Sequence, residues 1–570
     1  MVRLWFAFGM AAALWAQGVA SRGVKPTPRG KPSGIPFESR LVDVAVQAGL
    51  TAPVVYGGVD HRSYILETTG TGIAFLDFDN DGLLDLFVPS GTRFNLEPQP
   101  SNHLYRNTGN GKFVDVTQRA GLQRGGWAAG VAVADYDNDG WDDLYITYWG
   151  ENVLYRNRGD GTFEDVTQRA GLVRSGRHWG TGAAFFDYDR DGHLDLFLTY
   201  YLEFDPSKIR KPGEPGQCTW KGVAVNCGPR GLPAVKPRLY HNNGKGIFQD
   251  VTERSGIGKA PAAYGLTAVT ADFDEDGWVD VYVACDSTPS QLFLNQRDGT
   301  FVEAALESGL AVSDDGLEQA GMGVALGDYN RDGRIDVFKT NFADDTNNLY
   351  RNLGKGQFTE DAGKAGLGVE TRFVSWGAGM PDLDNDGWPD LFYVTGHVFP
   401  EVEAALPAYP HRGPRIVFRN LGEGRFEELL DPSAHHSSRG AAFGDFDNDG
   451  DIDIAVMNMN EPLSLLRNEL HDPTRHWLKV RLVGSRSPRT PVGATVTARY
   501  GGRPQAQVLL SQASYLSVND PRLHFGLGSS TKADLEIQWP SGEREVIRGV
   551  EADQLVTIQE GKAIVRTEHF

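Results

Sequence analysis

Short apolar runs alternate with clusters of Gly, Asn and Asp along most of the chain. An apolar, Gly-spaced stretch such as GVAVA at 130–134 leads into an acidic loop, and DLYIT at 143–147 leaves that loop. A run ending in Arg-Asn, a Gly-rich turn and a stretch such as TFEDVT at 162–167 follow. Because apolar and β-branched runs bounded by such clusters are typical of strands and turns, each unit predicts four short strands.

This unit recurs along the chain. The pattern D-x-D-x-D-G-x-x-D occurs seven times, and its only lapse is Asn330, at the third position of the fifth copy. A spacer typified by LYRNTGNGKFVDVT at 104–117 separates the copies. Four short strands repeated at this period predict the blades of a β-propeller. The copies begin at Asp77, Asp135, Asp187, Asp272, Asp328, Asp382 and Asp445.

The two ends of the array predict that the ring closes. Residues 37–50 match only the last part of the spacer, and residues 463–468 match only its first part. Joining these pieces completes a seventh blade and removes free sheet edges, which otherwise promote aggregation. We therefore predict an all-β fold with a seven-bladed propeller over residues 37–468, closed by an N-terminal strand and interrupted by an insertion at about 202–237.

The acidic loops have the ligand pattern of a hard cation. Side-chain oxygens at positions 1, 3, 5 and 9 and the carbonyl at position 7 can surround one ion, while the Gly at position 6 permits the sharp turn. Oxygen-only ligands with several carboxylates favour Ca²⁺, so about seven ions are predicted. The predicted ligands are Asp77, Asp79, Asp81, Leu83, Asp85, Asp135, Asp137, Asp139, Trp141, Asp143, Asp187, Asp189, Asp191, His193, Asp195, Asp272, Asp274, Asp276, Trp278, Asp280, Asp328, Asn330, Asp332, Arg334, Asp336, Asp382, Asp384, Asp386, Trp388, Asp390, Asp445, Asp447, Asp449, Asp451 and Asp453.

Two other interpretations fit these loops less well. An EF-hand needs Glu at position 12, where the seven loops carry other residues and strand-like flanks. In the second interpretation the acids only form Asx turns and bind no metal. The carboxylates of each of the seven loops would then repel one another, because no cation would neutralise them. The net charge of −20 agrees with bound cations. Because the chain lacks a basic footprint, we expect no nucleic-acid partner.

The N-terminal residues predict export. Arg3 precedes an apolar run from Leu4 to Trp15, and small residues precede a cut after Ala20, so residues 1–20 are typical of a signal peptide. The run is short of the roughly 20 residues of a membrane-spanning helix, which leaves an anchor as the weaker alternative. Residues 21–36 are rich in Pro, Gly and basic residues and predict a flexible linker. We expect a secreted monomer, extracellular, periplasmic or associated with the cell surface.

Residues 475–561 lack the repeat and predict a separate β-sandwich. Apolar positions alternate within 477–482 and again within 535–539, which indicates strands with one buried face. A module of about this size with such strands is typical of an all-β sandwich.

The motifs together resemble known families. The acidic loop and its LYRN-x-G-x-G-x-F-x-D-V-T spacer resemble FG-GAP/VCBS repeats, the calcium-binding blades of integrin α-type propellers. The motifs VGA, YLS, LHFGLG and WPSG in the C-terminal module resemble the ASPIC/UnbV domain. Propeller and module together are similar to bacterial relatives of the cartilage acidic protein family. This resemblance implies a secreted, calcium-binding protein without a well-defined activity.

The insertion carries two cysteines, Cys218 and Cys227. Export allows a disulfide between them, which would contribute about 2–3 kcal/mol by closing a short loop. The alternative is a pair of free thiols in a surface loop.

Residues that enter the inner strands predict a group on the face opposite the acidic loops. Aromatic, acidic and basic side chains at a ring mouth could form a ligand pocket. They could instead pack between blades and form salt bridges, for example Glu67 or Glu318 with Arg372. The candidate ligand-binding residues are Glu67, His178, Trp179, Glu318, Arg372, Trp376, His436 and Arg439.

Three functions remain open from the sequence. We favour a non-enzymatic, calcium-stabilised scaffold that binds an extracellular protein or glycan. The alternatives are a polysaccharide lyase or hydrolase that uses the ring mouth, and a lectin that stacks a sugar on Trp179 or Trp376. No G-x-S-x-G, H-E-x-x-H or P-loop motif is present, so no catalytic residue is assigned.

Overall fold

The computed structural model describes residues 18–570 except Pro98, Ser175 and His471, without the side chains of residues 430–434. Most of the predicted signal peptide, residues 1–17, lies outside the described residues. Seven four-stranded antiparallel blades are formed, and the inner strands of successive blades contact one another. The inner strand of the seventh blade contacts that of the first, so the predicted seven-bladed propeller is confirmed.

Each blade runs from an inner strand beside the central channel to an outer strand at the rim, and strands are given in that order. Blade 1 comprises Ala74–Leu76, Asp85–Val88, His103–Asn107 and Phe113–Asp115. Blade 2 comprises Ala128–Ala134, Asp143–Gly150, Val153–Asn157 and Phe163–Asp165. Blade 3 comprises His178–Phe186, Asp195–Tyr200, Arg238–Asn242 and Phe248–Asp250. Blade 4 comprises Gly265–Ala271, Asp280–Cys285, Gln291–Asn295 and Phe301–Glu303.

The remaining blades follow the same order. Blade 5 comprises Val324–Gly327, Asp336–Lys339, Asn348–Asn352 and Phe358–Glu360. Blade 6 comprises Ser375–Gly379, Leu391–Thr395, Gly413–Asn420 and Phe426–His436. Blade 7 comprises Ser438–Gly444, Asp453–Asn458, Ser464–Asn468 and Leu41–Asp43. In every blade an acidic loop joins the inner strand to the second strand.

Blade 7 is assembled from both ends of the array, as predicted. Leu41 pairs with Asn468 and Asp43 pairs with Leu466, so the N-terminal strand forms the rim of this blade. The following turn of helix packs its two alanines into the core, and Leu50 behind it is fully buried. Strand and helix turn together seal the edge that the third strand would otherwise expose.

Helices are short and lie between strands. The α-helices are Ala45–Ala48, Thr117–Ala120, Ala305–Ser308, Ala362–Ala365 and Val402–Ala405. The 3-10 turns are Ile65–Glu67, Pro206–Lys208, Ile257–Lys259 and Leu367–Val369. The insertion adds a hairpin of Cys218–Trp220 and Val223–Val225, and a disulfide joins Cys218 to Cys227 with their Cα atoms 5.1 Å apart.

The C-terminal domain consists of two four-stranded sheets around their own apolar core. In one sheet a parallel pair lies at the centre, flanked by antiparallel strands. Its strands, in spatial order, are Leu523–Gly528, His476–Val483, Gln554–Gln559 and Ala563–Glu568. The other sheet is Arg503–Val508, Thr495–Tyr500, Lys532–Gln538 and Arg544–Glu551.

One connection of the C-terminal domain leaves the sandwich and enters the propeller. Residues 509–522, here called the channel loop, join its two sheets and run into the central channel. Ser514 and Val324 of blade 5 exchange two backbone hydrogen bonds of 2.7 and 2.6 Å. Tyr515 and Leu516 are fully buried. The predicted sandwich therefore contributes a segment to the core of the propeller.

Residues 21–36, for which the composition predicted a flexible linker, are bound to the propeller. The Val24 N–H donates to the carbonyl of Asp344 in blade 5 at 2.7 Å. Arg22 forms an ion pair of 2.7 Å with Asp345, whose side chain is fully buried. Composition could not indicate these contacts, because the partners lie more than 300 residues away in the chain.

Candidate metal centres in the blade loops

The first carboxylate of each acidic loop folds the loop around itself. In blade 1, Asp77 accepts hydrogen bonds of 3.0 Å from the backbone N–H groups of Asp81 and Gly82. The corresponding pair of contacts occurs in all seven loops. These backbone bonds hold every loop in one shape, in which the other carboxylates gather on the inside of the turn.

The last carboxylate ties each loop to its blade. Asp85 is fully buried, and its two oxygens accept the N–H groups of Phe78 at 3.2 Å and Asn107 at 2.7 Å. Asn107 ends the third strand, and the equivalent contact to that Asn occurs in all seven blades. Because one carboxylate binds both the loop and the strand, the loop shape and the strand register are fixed together.

Several oxygen atoms converge inside each loop. Carboxylate oxygens of Asp77, Asp79 and Asp81, at positions 1, 3 and 5, lie within 4.8 Å of one another, and the same positions converge in blades 3 and 4. In blade 2 the converging acids are at positions 1, 3 and 9. In blades 1, 2, 3, 6 and 7 the carboxylate at position 3 has a buried oxygen without a hydrogen-bond partner. Such an oxygen is unfavourable unless a cation or water completes it. The donor set therefore fits a hard cation such as Ca²⁺, which takes six to eight oxygen ligands.

Electrostatics in the loops also favour a cation. Burial raises the pKa of Asp77 to about 6, that of Asp135 to about 7 and that of Asp85 to about 9. Burial is the largest cause in each case, and the neighbouring carboxylates of the loop also raise the pKa. Burial disfavours a carboxylate anion, and a nearby positive charge favours it. A divalent ion among these oxygens would restore the charged form of the ligands.

A basic side chain approaches each of the first three loops from outside. Arg106, from the Arg-Asn end of the third strand, contacts Asp79 and forms an ion pair of 2.8 Å with Asp81. Blade 2 repeats this arrangement with its own arginine. In blade 3 the position is His241, whose Nδ1 lies 3.2 Å from an oxygen of Asp195, and the interaction with this carboxylate raises the pKa of His241. These groups offset part of the loop charge while the unpaired inner oxygens stay directed inward.

The Asn of the Arg-Asn pair has a role that the sequence analysis missed. The Asn157 side-chain amide donates to the carbonyl of Phe78 in the preceding blade at 2.8 Å. Six of the seven blades make this bond to their predecessor. In the loops themselves, Asn80 adopts the left-handed conformation and donates to Gly140 of the next loop at 3.0 Å. The repeated Asn was visible in the spacer, but its partner lies in another repeat.

We expect Asn157→Ala to lower the free energy of unfolding by about 2–4 kcal/mol. The substitution leaves the carbonyl of Phe78 and the N–H of Gly159 without their partner, and each buried group without a partner costs about 1–3 kcal/mol. Denaturant titration measures the change. Arg158→Ala alters an exposed neighbour in the same turn and should change stability by less than about 0.5 kcal/mol. Equal effects of the two substitutions would contradict the bridging role.

The residues predicted at the opposite mouth do not form a pocket. Trp179 and Trp376 are 0% and 3% exposed, so neither ring is available to stack a sugar. Arg439 is fully buried, with its guanidinium carbon 4.1 Å from the centre of the Trp376 ring. His178 pairs with blade 2 through its backbone. His436 forms an ion pair with a neighbouring glutamate.

The predicted ion pairs of Glu67 or Glu318 with Arg372 are wrong. Glu318 pairs with Arg230 at 2.6 Å, and Arg372 pairs with Glu370 two residues away at 2.8 Å. Glu67 accepts backbone N–H groups of its own turn. Glu67 and Arg372 therefore find partners within a few residues in sequence, and Glu318 finds its partner in the insertion. The repeat pattern does not determine the position of the insertion, so it could not indicate the last of these pairs.

Segments from outside the repeat cover this mouth. Trp220 of the insertion packs its ring 4.8 Å from His397 and 4.9 Å from Tyr409. Ser21, the first residue after the predicted cut, donates its hydroxyl to the carbonyl of Ala343 at 2.9 Å. A cavity of about 30 Å³ remains inside the channel. It has room for about one or two water molecules and is too small for a sugar.

Comparison with known families supports the two-part organisation. Residues 77–198 and 231–456 match the FG-GAP-like repeat in overlapping copies. Residues 484–565 match the domain described as ASPIC and UnbV. The described part of the chain contains no helix with the length and hydropathy needed to cross a bilayer.

Curated relatives and solved structures give more distant likenesses. Cartilage acidic protein 1 of Homo sapiens is 28% identical over 356 residues, which is 59% of this chain and 49% of that protein. The Mus musculus protein of the same name is 28% identical over 354 residues, 58% of this chain and 50% of its own length. This chain thus spans about half the length of these relatives. An Agrocybe aegerita lectin that recognises non-reducing terminal N-acetylglucosamine is 19% identical, with a TM-score of 0.35 over 64% of this chain and 81% of its own. That score is too low to support an argument.

Proposed function

Because the chain belongs to the FG-GAP repeat family and carries an ASPIC and UnbV domain, we propose that it is a secreted, calcium-binding scaffold protein. About seven Ca²⁺, one in each blade loop, would neutralise the clustered carboxylates and stiffen the propeller. The rigid ring would then present a surface to an extracellular protein or glycan. The name of its relatives, cartilage acidic protein 1, fits an extracellular location.

Calcium binding is supported most directly by the inner oxygen at position 3. In Asp137 this oxygen is buried and has no hydrogen-bond partner, whereas the outer oxygen pairs with Arg156. The same division occurs at Asp79 in blade 1. An oxygen that stays unpaired in the same place in several loops is better explained by a shared ligand than by chance packing.

Export is supported by two features. The apolar run from Leu4 to Trp15 follows the pattern of a signal peptide. The disulfide between Cys218 and Cys227 would persist in an oxidising compartment. Expression in a secreting host, followed by mass spectrometry of the medium and the cells, tests this part of the proposal. Retention of the whole product inside cells would contradict it.

The partner surface is proposed on the face opposite the acidic loops. The C-terminal domain covers the loop face, whereas the insertion and residues 18–36 shape the other face. This face is made of segments outside the repeat, which is where a specific surface can vary without disturbing the blades. A screen against secreted proteins and glycans, with and without Ca²⁺, tests the proposal. Binding that requires only the C-terminal domain would contradict it.

We expect Asp137→Ala to remove one bound Ca²⁺. Metal analysis after dialysis should find about seven ions in the unchanged protein and one fewer in the variant, because the carboxylate supplies a ligand that water replaces poorly. Asp160→Ala is the matched control, since Asp160 lies in an exposed turn of the same blade and binds only Thr162. Fewer than four ions in the unchanged protein, or equal loss in both variants, would contradict the proposal.

A further inference from the structure

Besides the channel loop, the C-terminal domain contacts the propeller at the acidic loops. Lys479, on a strand of the sandwich, is fully buried and forms an ion pair with Asp445, the first acid of the loop in blade 7. The backbone N–H of Ala506 donates to Asp328, the first acid of the loop in blade 5, at 3.1 Å. Two position-1 carboxylates, each of which also folds its own loop, are therefore bound by the other domain.

Further contacts fall on the turns of the same loops. Arg522 donates to the carbonyl of Asp445 at 2.8 Å and to the side chain of Asn448 at 2.6 Å. In blade 6, Gly387 accepts the Tyr500 hydroxyl at 3.2 Å. In blade 2, the side chain of Asn138 accepts a backbone N–H of the domain at 2.8 Å. Asn448 and Asn138 are at position 4 of the loop pattern and Gly387 is at position 6, and both positions are adjacent in sequence to the proposed ligands.

The charges across this interface are complementary. Arg475 lies 3.7 Å from Asp384 and 3.8 Å from Asp386 in the loop of blade 6. Arg489 lies 3.7 Å from Asp135 in the loop of blade 2. The domain thus directs basic groups at the same acids that would bind the cations.

The channel loop is shaped by the propeller. Ser514 and Leu516 have left-handed φ angles of 57° and 55°. For a bulky residue such as Leu this conformation is unfavourable and persists only where surrounding contacts impose it. Those contacts come from the inner strands: Leu516 accepts the Val131 N–H at 3.2 Å, and Tyr515 packs 4.9 Å from the Trp376 ring.

We propose that the ring of acidic loops is the docking surface for the C-terminal domain, and that calcium loading of the loops and docking of the domain stabilise each other. The proposal rests on the calcium binding proposed above. Loops without cations would carry mutually repelling carboxylates and would lose the shape in which they present Asn138, Gly387 and Asn448 to the domain. The basic groups of the domain oppose this effect in part, because they bind an empty loop more strongly than a loaded one. Since coupling between two binding events is reciprocal, docking must strengthen calcium binding by the same factor by which calcium strengthens docking.

The test uses the full-length protein. It compares the rate of trypsin cleavage after Arg475 with chelator and without it, because Arg475 lies between the two domains. Cleavage after Arg210, in the exposed part of the insertion, is the internal reference. We expect chelation to speed cleavage after Arg475 at least tenfold relative to cleavage after Arg210. The circular dichroism spectrum should keep its β signal, and the radius of gyration measured by small-angle scattering should increase. Calcium content is measured on the same samples.

The reciprocal arm uses Tyr515→Ala, which weakens the channel loop without altering an acid. We expect its calcium titration midpoint to rise at least threefold, whereas Val546→Ala, on the exposed outer strand of the sandwich, should leave the midpoint unchanged. If Ca²⁺ binds but chelation leaves the cut and the radius unchanged, the coupling is overturned and the calcium scaffold stands. Absence of bound Ca²⁺ overturns both proposals.

Discussion

Removal of calcium should lower the melting temperature of this protein by about 10–20 °C. A ligand held at a hundred times its Kd stabilises the folded state by about 2.7 kcal/mol, and several such ions act on one propeller. Each kcal/mol moves the midpoint of a large domain by a few degrees at most. Position-9 acids are buried in all seven loops, and position-1 acids are buried in every loop except that of blade 4, where Asp272 is half-buried. Because the position-9 acid also anchors the third strand, losing the cation should weaken the blades themselves.

Differential scanning calorimetry in excess EDTA measures this effect. Returning Ca²⁺ in excess over the chelator should restore the original midpoint, and Mg²⁺ should restore less, because it demands smaller octahedral geometry and keeps its waters. An unchanged midpoint in EDTA, in a protein that metal analysis shows to be calcium-free, would contradict a structural role for the ions.

Deletion of residues 37–50 should have the second large effect. It removes the rim strand Leu41–Asp43, leaves Leu466–Asn468 as an open edge and takes away the fully buried Leu50. Full burial of a leucine contributes about 1.5–3 kcal/mol, and an unpaired edge recruits other chains. We expect soluble protein to fall sharply and the remainder to melt at least 10 °C lower, with aggregates visible by light scattering.

A deletion of residues 21–36 is the comparison. It removes ion pairs of Arg22 and Arg29 and the backbone bonds of Val24 and Thr27, mostly from exposed or half-buried groups, but no strand. Its midpoint should therefore fall by a few degrees only. If the two deletions reduced stability equally, the rim strand would not be what closes the ring.

The repeat pattern was sufficient to predict the propeller because the contacts that build each blade lie within one unit of the repeat. Asp85, for example, binds groups on its own loop and its own third strand, and both lie inside one copy of the motif. The split blade was also predictable, since residues 37–50 and 463–468 are complementary halves of that motif. The convergence of the loop carboxylates could be predicted for the same reason, because their spacing along the chain sets their spacing in the turn.

Contacts between units were not predictable in this way. Asn157 was visible as a repeated residue, yet its acceptor Phe78 lies in another blade. The stretch around Tyr515 has the alternation of a strand, and nothing in that alternation indicates that it is buried in the channel of another domain. The predicted mouth pocket failed for a similar reason, because Trp220 of the insertion packs against His397 and Tyr409 at this mouth, and the repeat pattern does not indicate these contacts.

The split blade also sets a time order for folding. The rim strand at Leu41 is synthesised first, and its partner at Asn468 follows roughly 430 residues later. At about 5–20 residues per second, the early strand waits about 20–90 s for its partner. A chain whose synthesis stops after the sixth blade can never seal its ring. Every such fragment keeps an unpaired strand at its start, which marks it as a substrate for chaperones and proteases rather than a smaller working protein.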